Sequence, residues 1–279
     1  MGVGMARNLH KAGLLAGVWN RTAAKARALA TELSCLAAES PEELAAACDV
    51  LVLCVSADSD VLCVVEALKT GTRPGQIVID CSTVSSATAQ TAAQRLAAHG
   101  VEFLDCPVSG GTEGARDGTL AIMCGGPESA FERAQPVLKA MGRTITHFGP
   151  NGAGQAAKAT NQIMCAGIIQ CVAEAMAFAK AHGLPLEKVV DTLGKGAGSS
   201  WYFVNRAPNM IRNAYPPGFR VRLHAKDLGI CRDMAAKFGA ELPVVERMLG
   251  EYAQLIEQGH GDEDISVDFV LKTKLFKNL

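Results

Sequence analysis

The sequence predicts an α/β chain in which a doubly wound, mostly parallel β-sheet is followed by an all-α C-terminal domain. In the first half, short apolar runs alternate with helical patterns, as strands and helices do in βαβ units. After residue 150 the strand-like runs largely stop and helical patterns follow one another. This shift predicts two domains, residues 1–150 and residues 151–279.

Local signals place the elements of the first half. Residues 50–55 form a continuous apolar run, which is typical of a strand buried on both faces of a parallel sheet. Ser40 and Pro41 suit the cap and first turn of a helix, and residues 20–22 suit a turn and N-cap before another. The other predicted strands are 14–19, 76–81, 102–108, 120–124 and 145–148. The other predicted helices are 1–12, 23–33, 61–68, 85–99 and 127–141.

Helical patterns fill the second half of the chain. The longest covers residues 153–182 and is small and apolar at most positions. The remaining predicted helices are 186–193, 202–213, 224–238, 243–258 and 265–277. They share no regular repeat period, so the sequence does not indicate a solenoid.

Composition excludes several classes of function. The net charge of −1 offers no basic excess for nucleic acid or an anionic membrane. The apolar runs are too short or too interrupted to span a bilayer, and no secretory signal is visible, so we expect a cytoplasmic protein. The ten cysteines form no CxxC pair and are expected to be reduced. The six histidines show no ligand spacing, so we expect no metal site.

A glycine-rich turn at residues 149–154 opens the longest predicted helix. Gly152 and Gly154 leave room for a close approach to the backbone. Lys158 follows within that helix, and Asn161 lies one turn further on, on the same face. Burial would lower the pKa of Lys158 and allow it to exchange protons. The alternative is a lysine whose stem lies along the helix and whose ammonium group reaches solvent.

The end of predicted strand 14–19, at the place of the second strand of a dinucleotide-binding fold, carries a possible cofactor signal. In a doubly wound nucleotide fold, an acid at this place binds the ribose hydroxyls of NAD. Here Asn20, Arg21 and Thr22 supply an amide, a guanidinium group and a hydroxyl instead, which suit the 2′-phosphate of NADP. The alternative is a solvated turn that contains an arginine.

Several motifs together resemble the β-hydroxyacid dehydrogenase family, which includes 3-hydroxyisobutyrate dehydrogenase, tartronate semialdehyde reductase and the glyoxylate/succinic semialdehyde reductases. The resemblance covers essentially the whole chain. Its segments are Met1-Gly2-Val3-Gly4-Met5-Ala6-Arg7-Asn8-Leu9, Asp80-Cys81-Ser82-Thr83, Asp105-Cys106-Pro107-Val108-Ser109-Gly110-Gly111, Gly152-Ala153-Gly154-Gln155-Ala156-Ala157-Lys158 with Asn161, and Lys226-Asp227-Leu228. Relative to the family, the first strand and the first two glycines of the dinucleotide motif have no counterpart in this sequence.

The resemblance implies a Rossmann-like first domain and hydride transfer between a nicotinamide and a small β-hydroxyacid or its semialdehyde. NADP is the expected cofactor ahead of NAD. Lys158 and Asn161 would be catalytic. The carboxylate of the substrate would be held by Ser109, Gly110 and Gly111. The cofactor would be bound by Gly2, Asn20, Arg21, Thr22, Thr83, Phe219 and Lys226.

Other interpretations stay open at this point. A homodimer or homotetramer is expected, since the family commonly forms them. Outside this context, Lys226 and Asp227 would be a surface ion pair, and Trp201, Tyr202, Phe203 and Phe219 would pack between helices. The main alternative function is a catalytically silent module that binds a nucleotide or a protein. An imine reductase is disfavoured by Lys158, and 6-phosphogluconate dehydrogenase by the small helical half.

Overall fold

The computed structural model describes residues 1–276. The chain divides into two compact units, Met1–Lys158 and Ala159–Leu279. The division lies inside the long helix that follows the predicted boundary near residue 150.

The first unit alternates strands and helices, as the sequence predicts. Its strands are β1 (Gly17–Val18), β2 (Leu36–Ala37), β3 (Val50–Leu53), β4 (Ile77–Asp80), β5 (Glu102–Asp105), β6 (Val108–Ser109), β7 (Leu120–Gly125) and β8 (Gly142–Gly149). Its helices are α1 (Gly2–Lys11), α2 (Ala23–Leu33), α3 (Pro41–Ala47), α4 (Asp58–Leu68), α5 (Ser86–Ala97), α6 (Gly111–Asp117) and α7 (Glu128–Met141).

The larger sheet has the order β3-β4-β5-β7-β6, with β8 paired to β7, while β1 and β2 form a separate parallel pair. Strands β3, β4 and β5 are parallel, and β8 is parallel to β7. Strand β7 runs antiparallel to β5 and β6. The prediction of a mostly parallel sheet is confirmed.

Several elements of the first unit differ from the sequence-based prediction. Residues 102–108 form two strands, because Pro107, which lacks an N–H group, lies between them. Strand β5 pairs with β4 and β7, whereas β6 pairs with β7. Strand β1 is shorter than residues 14–19, since its partner β2 contributes only two residues. Helix α6 was not predicted. Its short sequence contains two glycines, so the local helix propensity is low.

The sheet of the first unit is covered on both faces. Along β4, Ile77 and Ile79 belong to one apolar cluster and Val78 belongs to another. Successive residues of a strand point to opposite faces, so each cluster packs on its own side of the sheet. This arrangement is the doubly wound layering that the continuous apolar runs predict.

Helix starts follow their local signals in part. The hydroxyl oxygens of Ser40 and Ser85 accept hydrogen bonds from backbone N–H groups two or three residues into α3 and α5. Thr22 precedes α2, but its side chain makes no capping hydrogen bond. Instead Asn20 Oδ1 accepts the N–H of Thr22 at 2.9 Å. The turn is therefore closed by Asn20 and not by the predicted threonine cap.

The second unit is helical throughout its core. Helix α8 (Ala153–Ala181) enters it from the first unit, and it is followed by α9 (Leu186–Leu193), α10 (Trp201–Arg212), α11 (Val221–Ala236), α12 (Pro243–Glu257) and α13 (Asp268–Thr273). The predicted helix 265–277 starts instead with a 3₁₀ turn, Ile265–Val267, in which Asp264 accepts the N–H of Ser266. Lys277 lies outside the described residues.

Helix α8 is long and apolar enough to cross a membrane by length and composition alone. The expectation that no such run exists is therefore wrong by this criterion. Half of the relevant window is buried inside the protein. Ala166, Ile169 and Met176 of α8 belong to the apolar core of the second unit, and core helices of this kind pass the same test.

That core also contains a cluster of buried charged residues. Lys272 is 2% exposed, and its Nζ donates a 2.5 Å hydrogen bond to Glu251 Oε1. Asp268 is fully buried, and its carboxylate lies 4.0 Å from Lys272 Nζ. Neither of its oxygens has a hydrogen-bond partner within residues 1–276. Burial raises the pKa of Asp268 to about 7, with Lys272 opposing the rise and Glu251 adding to it.

We expect Asp268 to make the stability of the protein pH-dependent. The folded state holds the proton of Asp268 up to about pH 7. The unfolded chain releases it near the ordinary aspartate pKa of about 3.9. Stability from this group is thus present at low pH and is lost as the pH rises between those values. Relative to Asp268→Asn, the wild type should lose about 1–3 kcal/mol of unfolding free energy between pH 5 and pH 8.

Urea unfolding at both pH values measures this difference. The matched control is Asp233→Asn, because Asp233 lies on α11 with a side chain 76% exposed. A wild type and an Asp268→Asn variant whose stabilities change in parallel with pH would contradict the prediction.

Candidate functional site

Two buried carboxylates lie side by side where the parallel strands of the first unit end. Asp80 closes β4 and Asp105 closes β5, and the two residues pair in register. Ligands of open α/β sheets bind outside such carboxyl ends. Asp80 Oδ1 accepts the N–H of Ser82 at 2.9 Å, and its Oδ2 has no partner in the described part of the chain. Burial raises the pKa of Asp80 to about 7.

The loop that carries Thr83 is held on both sides by one side chain. Gln155 Nε2 donates to the carbonyl oxygen of Ser82 at 2.8 Å, and Gln155 Oε1 accepts the N–H of Val84 at 3.1 Å. These bonds flank Thr83, which is half-buried between them. Gln155 is 1% exposed, so the bonds form away from solvent. The backbone at Thr83 is therefore fixed to the start of α8.

Asp105 holds the N-terminus of α8. Its Oδ1 accepts the N–H of Gly152 at 2.8 Å, and its Oδ2 accepts the N–H of Gln155 at 3.0 Å. Burial raises the pKa of Asp105, while these two bonds oppose the rise. A Cβ atom on Gly154 would lie 2.3 Å from the carbonyl oxygen of Asp105. The close approach that the sequence predicts at this glycine is therefore made by the chain's own backbone.

Lys158 lies in the second turn of α8 and is the last residue of the first unit. It is only 6% exposed. A lysine that extends along a helix to solvent would expose its ammonium group, so the burial argues against that alternative. The helix that carries Lys158 is the one whose start is held by Asp105 and Gln155.

A glycine turn follows β6 and leads into helix α6. Ser109 pairs with Ala121 of β7, and the chain then passes through Gly110 and Gly111 at φ +131° and +66°. Helix α6 begins at Gly111, and the first N–H groups of a helix have no partners within it. The turn therefore presents backbone donors suited to a carboxylate.

The residues after β1 are largely exposed. Arg21 Nη1 donates to Asp60 Oδ1 at 2.9 Å, and the arginine side chain remains 81% exposed.

Gly2 is the first residue of α1, and a Cβ atom there would meet only Cys54 at ordinary contact distance. A Cβ atom on Gly4 would lie 2.6 Å from the carbonyl oxygen of Ala115. Close packing of α1 on α6 therefore requires glycine at Gly4, which the sequence did not single out.

In the second unit, two predicted site residues belong to one hydrogen-bond chain. Asn161 Nδ2 donates to Gln162 Oε1 at 2.9 Å, and Gln162 Nε2 donates to Asp227 Oδ2 at 2.7 Å. Asp227 Oδ1 lies 2.8 Å from Lys226 Nζ. The side chains of Lys226 and Asp227 are 29% and 5% exposed, so this ion pair is largely buried and differs from the surface pair of the alternative interpretation.

The aromatic residues of the second unit divide by burial. Tyr202 and Phe203 belong to the core, as the packing alternative expects. Trp201 is 58% exposed and lies over the guanidinium group of Arg206. Phe219 is partly buried against the core, with its ring 5.2 Å from that of His224.

Sequence reasoning missed Gln155, Gln162 and Asp227 as residues that position others. Gln155 and Gln162 stand in the motif around Lys158, but their partners are far away in sequence. Among residues 1–276 no cluster of three or more His, Cys, Asp or Glu side chains could hold a metal ion.

Comparison with known proteins identifies the family. Residues 1–149 match the family described as the NAD binding domain of 6-phosphogluconate dehydrogenase, and residues 152–268 match that described as NAD-binding of NADP-dependent 3-hydroxyisobutyrate dehydrogenase. An NAD-dependent L-serine dehydrogenase of Pseudomonas aeruginosa is 35% identical over 96% of this chain and 93% of its own length. An L-threonate dehydrogenase of Escherichia coli O6:H1 is 36% identical over 95% and 89%.

A solved structure agrees with these matches. The 3-hydroxyisobutyrate dehydrogenase of Mycobacterium tuberculosis, solved with L-serine, has a TM-score of 0.87 and 33% identity, and the match covers 97% of this chain and 95% of that one. The matches extend over both units. The chain therefore belongs to the β-hydroxyacid dehydrogenase family and is an NAD(P)-binding oxidoreductase that acts on hydroxyl groups.

Proposed function

We propose that the protein transfers a hydride reversibly between NADP, in preference to NAD, and a small β-hydroxyacid or its semialdehyde. The observation that carries this proposal is the burial of Lys158, at 6% exposure, on a helix whose first turn is held by Asp105. A buried lysine at a fixed position suits proton exchange with a substrate hydroxyl.

The substrate residues have separate tasks. Ser109 and the backbone N–H groups at Gly110 and Gly111 would bind the carboxylate, because the positive φ angles shape a turn of donors. Lys158 would take the hydroxyl proton in oxidation and return it in reduction. Asn161 would orient the substrate. The nicotinamide, when bound, supplies the hydride acceptor or donor.

The residues proposed to bind the cofactor divide between the two halves of a dinucleotide. Thr83 would contact the nicotinamide half from a loop whose backbone is fixed by Gln155. Lys226, whose ammonium group pairs with Asp227, would contact the same half. Gly2, Asn20 and Thr22 would bind nearer the adenosine half, and Phe219 would contact the cofactor from the second unit. Arg21 has five N–H donors and shares one with Asp60, so it keeps donors for a 2′-phosphate.

We also propose a cytoplasmic homodimer or homotetramer. Support comes from the family and from large apolar side chains on α8 that stay exposed within one chain. Met164 is 56% exposed and Phe178 is 54% exposed. Such side chains on a core helix are suited to contact with a second copy.

The test follows NADP and NAD reduction with a panel of L-serine, L-threonate and 3-hydroxyisobutyrate. The reverse reaction is followed with tartronate semialdehyde, glyoxylate and succinic semialdehyde. Wild type should prefer NADP, and Arg21→Asp should weaken NADPH binding by about 10²-fold through lost charge-assisted hydrogen bonds and added repulsion. NADH binding should change far less. Calorimetry measures both dissociation constants.

Arg27→Asp is the matched control, because Arg27 lies on α2 with a side chain 62% exposed and its guanidinium group pairs with an exposed Glu39. Equal losses for NADPH and NADH in Arg21→Asp would show that Arg21 does not bind the phosphate. Nucleotide binding without turnover of any substrate would favour the catalytically silent alternative over an enzyme.

A further inference from the structure

We propose that Asp227 is a positioning residue that acts through Gln162 on Asn161. It holds the amide of Asn161 so that Oδ1 is the atom available to the substrate. The enzyme would then prefer β-hydroxyacids that carry a hydrogen-bond donor on C2. This inference rests on the proposed function, in which Asn161 orients the substrate.

The chain of bonds begins at a group that can only accept. Asp227 is 4% exposed, and its Oδ1 lies 2.8 Å from Lys226 Nζ. A carboxylate paired with an ammonium group is ionised and offers acceptors alone. The side chain that meets its Oδ2 at 2.7 Å must therefore be a donor, which assigns Nε2 of Gln162 to this contact.

The orientation of Gln162 determines that of Asn161. Because Nε2 of Gln162 faces Asp227, its Oε1 faces Asn161. Oε1 can only accept, so Asn161 donates to it through Nδ2, at 2.9 Å. The same Nδ2 lies 3.5 Å from Cys165 Sγ. Both N–H groups of Asn161 are thereby engaged within the second unit. Its Oδ1 accepts no hydrogen bond from residues 1–276, and it is the atom left for a ligand.

An acceptor at this position selects among substrates. A hydroxyl or ammonium group on C2 can donate to Oδ1, whereas a methyl group would leave the oxygen without a partner after water is displaced. A site built to hydrogen-bond a substrate group discriminates strongly against an analogue that lacks it. Because Asn161 is only half-buried, we expect a preference of roughly 10–100-fold in kcat/KM.

Two variants test this series of hydrogen bonds at two different residues. In Asp227→Asn the new amide can donate to Gln162, so Gln162 and then Asn161 can turn over and present Nδ2 to the substrate. Gln162→Met keeps a similar side-chain volume but removes both hydrogen bonds of the Gln162 amide. The ion pair between Asp227 and Lys226 remains. The control is Asp233→Asn, the same change at an exposed position of the same helix, 76% exposed.

The measurement is the ratio of kcat/KM for L-serine to that for 3-hydroxyisobutyrate. The wild-type ratio should exceed about 10, and it should fall at least about 10-fold in Asp227→Asn and Gln162→Met. It should stay unchanged in Asp233→Asn. Circular dichroism confirms folding, and if Asp227→Asn fails to fold, Gln162→Met decides.

Three results would overturn the proposal. The first is a wild-type ratio below one. The second is a folded variant in which both substrates lose the same factor, since a purely structural role lowers activity without changing selectivity. The third is a wild type that binds NADPH and turns over none of the hydroxyacids and aldehydes in the panel of the proposed function. That third result overturns the proposed function itself, so the two failures are distinguishable.

Discussion

Lys158→Ala is expected to lower kcat by about 10³-fold while the dissociation constant of NADPH stays within about threefold, because general acid–base groups contribute on this scale. Lys158 is 6% exposed on α8, so its truncation to alanine takes away the proposed proton acceptor and leaves an enclosed space. Stopped-flow measurement of NADPH formation gives kcat, and calorimetry gives the binding of the cofactor.

The space left by the side chain allows a sharper experiment. A small primary amine such as methylamine can enter it and serve as the base, so added amine should restore part of the activity of Lys158→Ala. The control is Lys180→Ala near the other end of α8, where the lysine is exposed and substitution should leave kcat unchanged. Turnover retained within tenfold of wild type by Lys158→Ala would rule out the proton-transfer role.

The elements of this fold were largely predictable from local signals. Apolar runs such as residues 50–55 indicate strands covered on both faces, and Ser40 with Pro41 marks the start of α3. The missed elements lack such signals. Helix α6 is a seven-residue segment with two glycines, and β5 and β6 divide at a proline within an apolar run. Their form depends on partners elsewhere in the sheet.

For the candidate site, the sequence predicted the residues proposed to bind or react but not the residues that hold them in place. The glycine-rich turn and its helix led to Lys158, and the resemblance to the family led to Ser109 and Thr83. The surroundings of all three in the structure suit the proposed roles. The residues that hold them were not found, because each acts across a long sequence separation. Gln155 contacts Ser82 and Val84, and Asp227 contacts Gln162. A single sequence shows which side chains are present, whereas such pairings arise only when the strands and helices are assembled.

In the first unit, the buried carboxylate of Asp105 holds the start of α8 through two backbone N–H groups. Asp105→Asn is expected to reduce the unfolding free energy by about 3–5 kcal/mol, as when one partner of a buried polar network is removed. The new amide offers one acceptor oxygen, whereas two backbone donors, from Gly152 and Gln155, point at the carboxylate. Its NH₂ group would therefore face an N–H group without an acceptor between them.

The surroundings leave the new side chain little room to turn away. A Cβ atom built on Gly125 would lie 2.8 Å from Asp105 Oδ1, which shows how closely the backbone surrounds the carboxylate. Urea unfolding measures the loss of unfolding free energy. The control is Asp49→Asn, because the Asp49 side chain is 92% exposed and its substitution should change stability by less than about 0.5 kcal/mol. Activity should fall in Asp105→Asn as well, because Gln155 and Lys158 follow on the same helix. An Asp105→Asn variant as stable as wild type would mean that the start of α8 does not depend on this carboxylate.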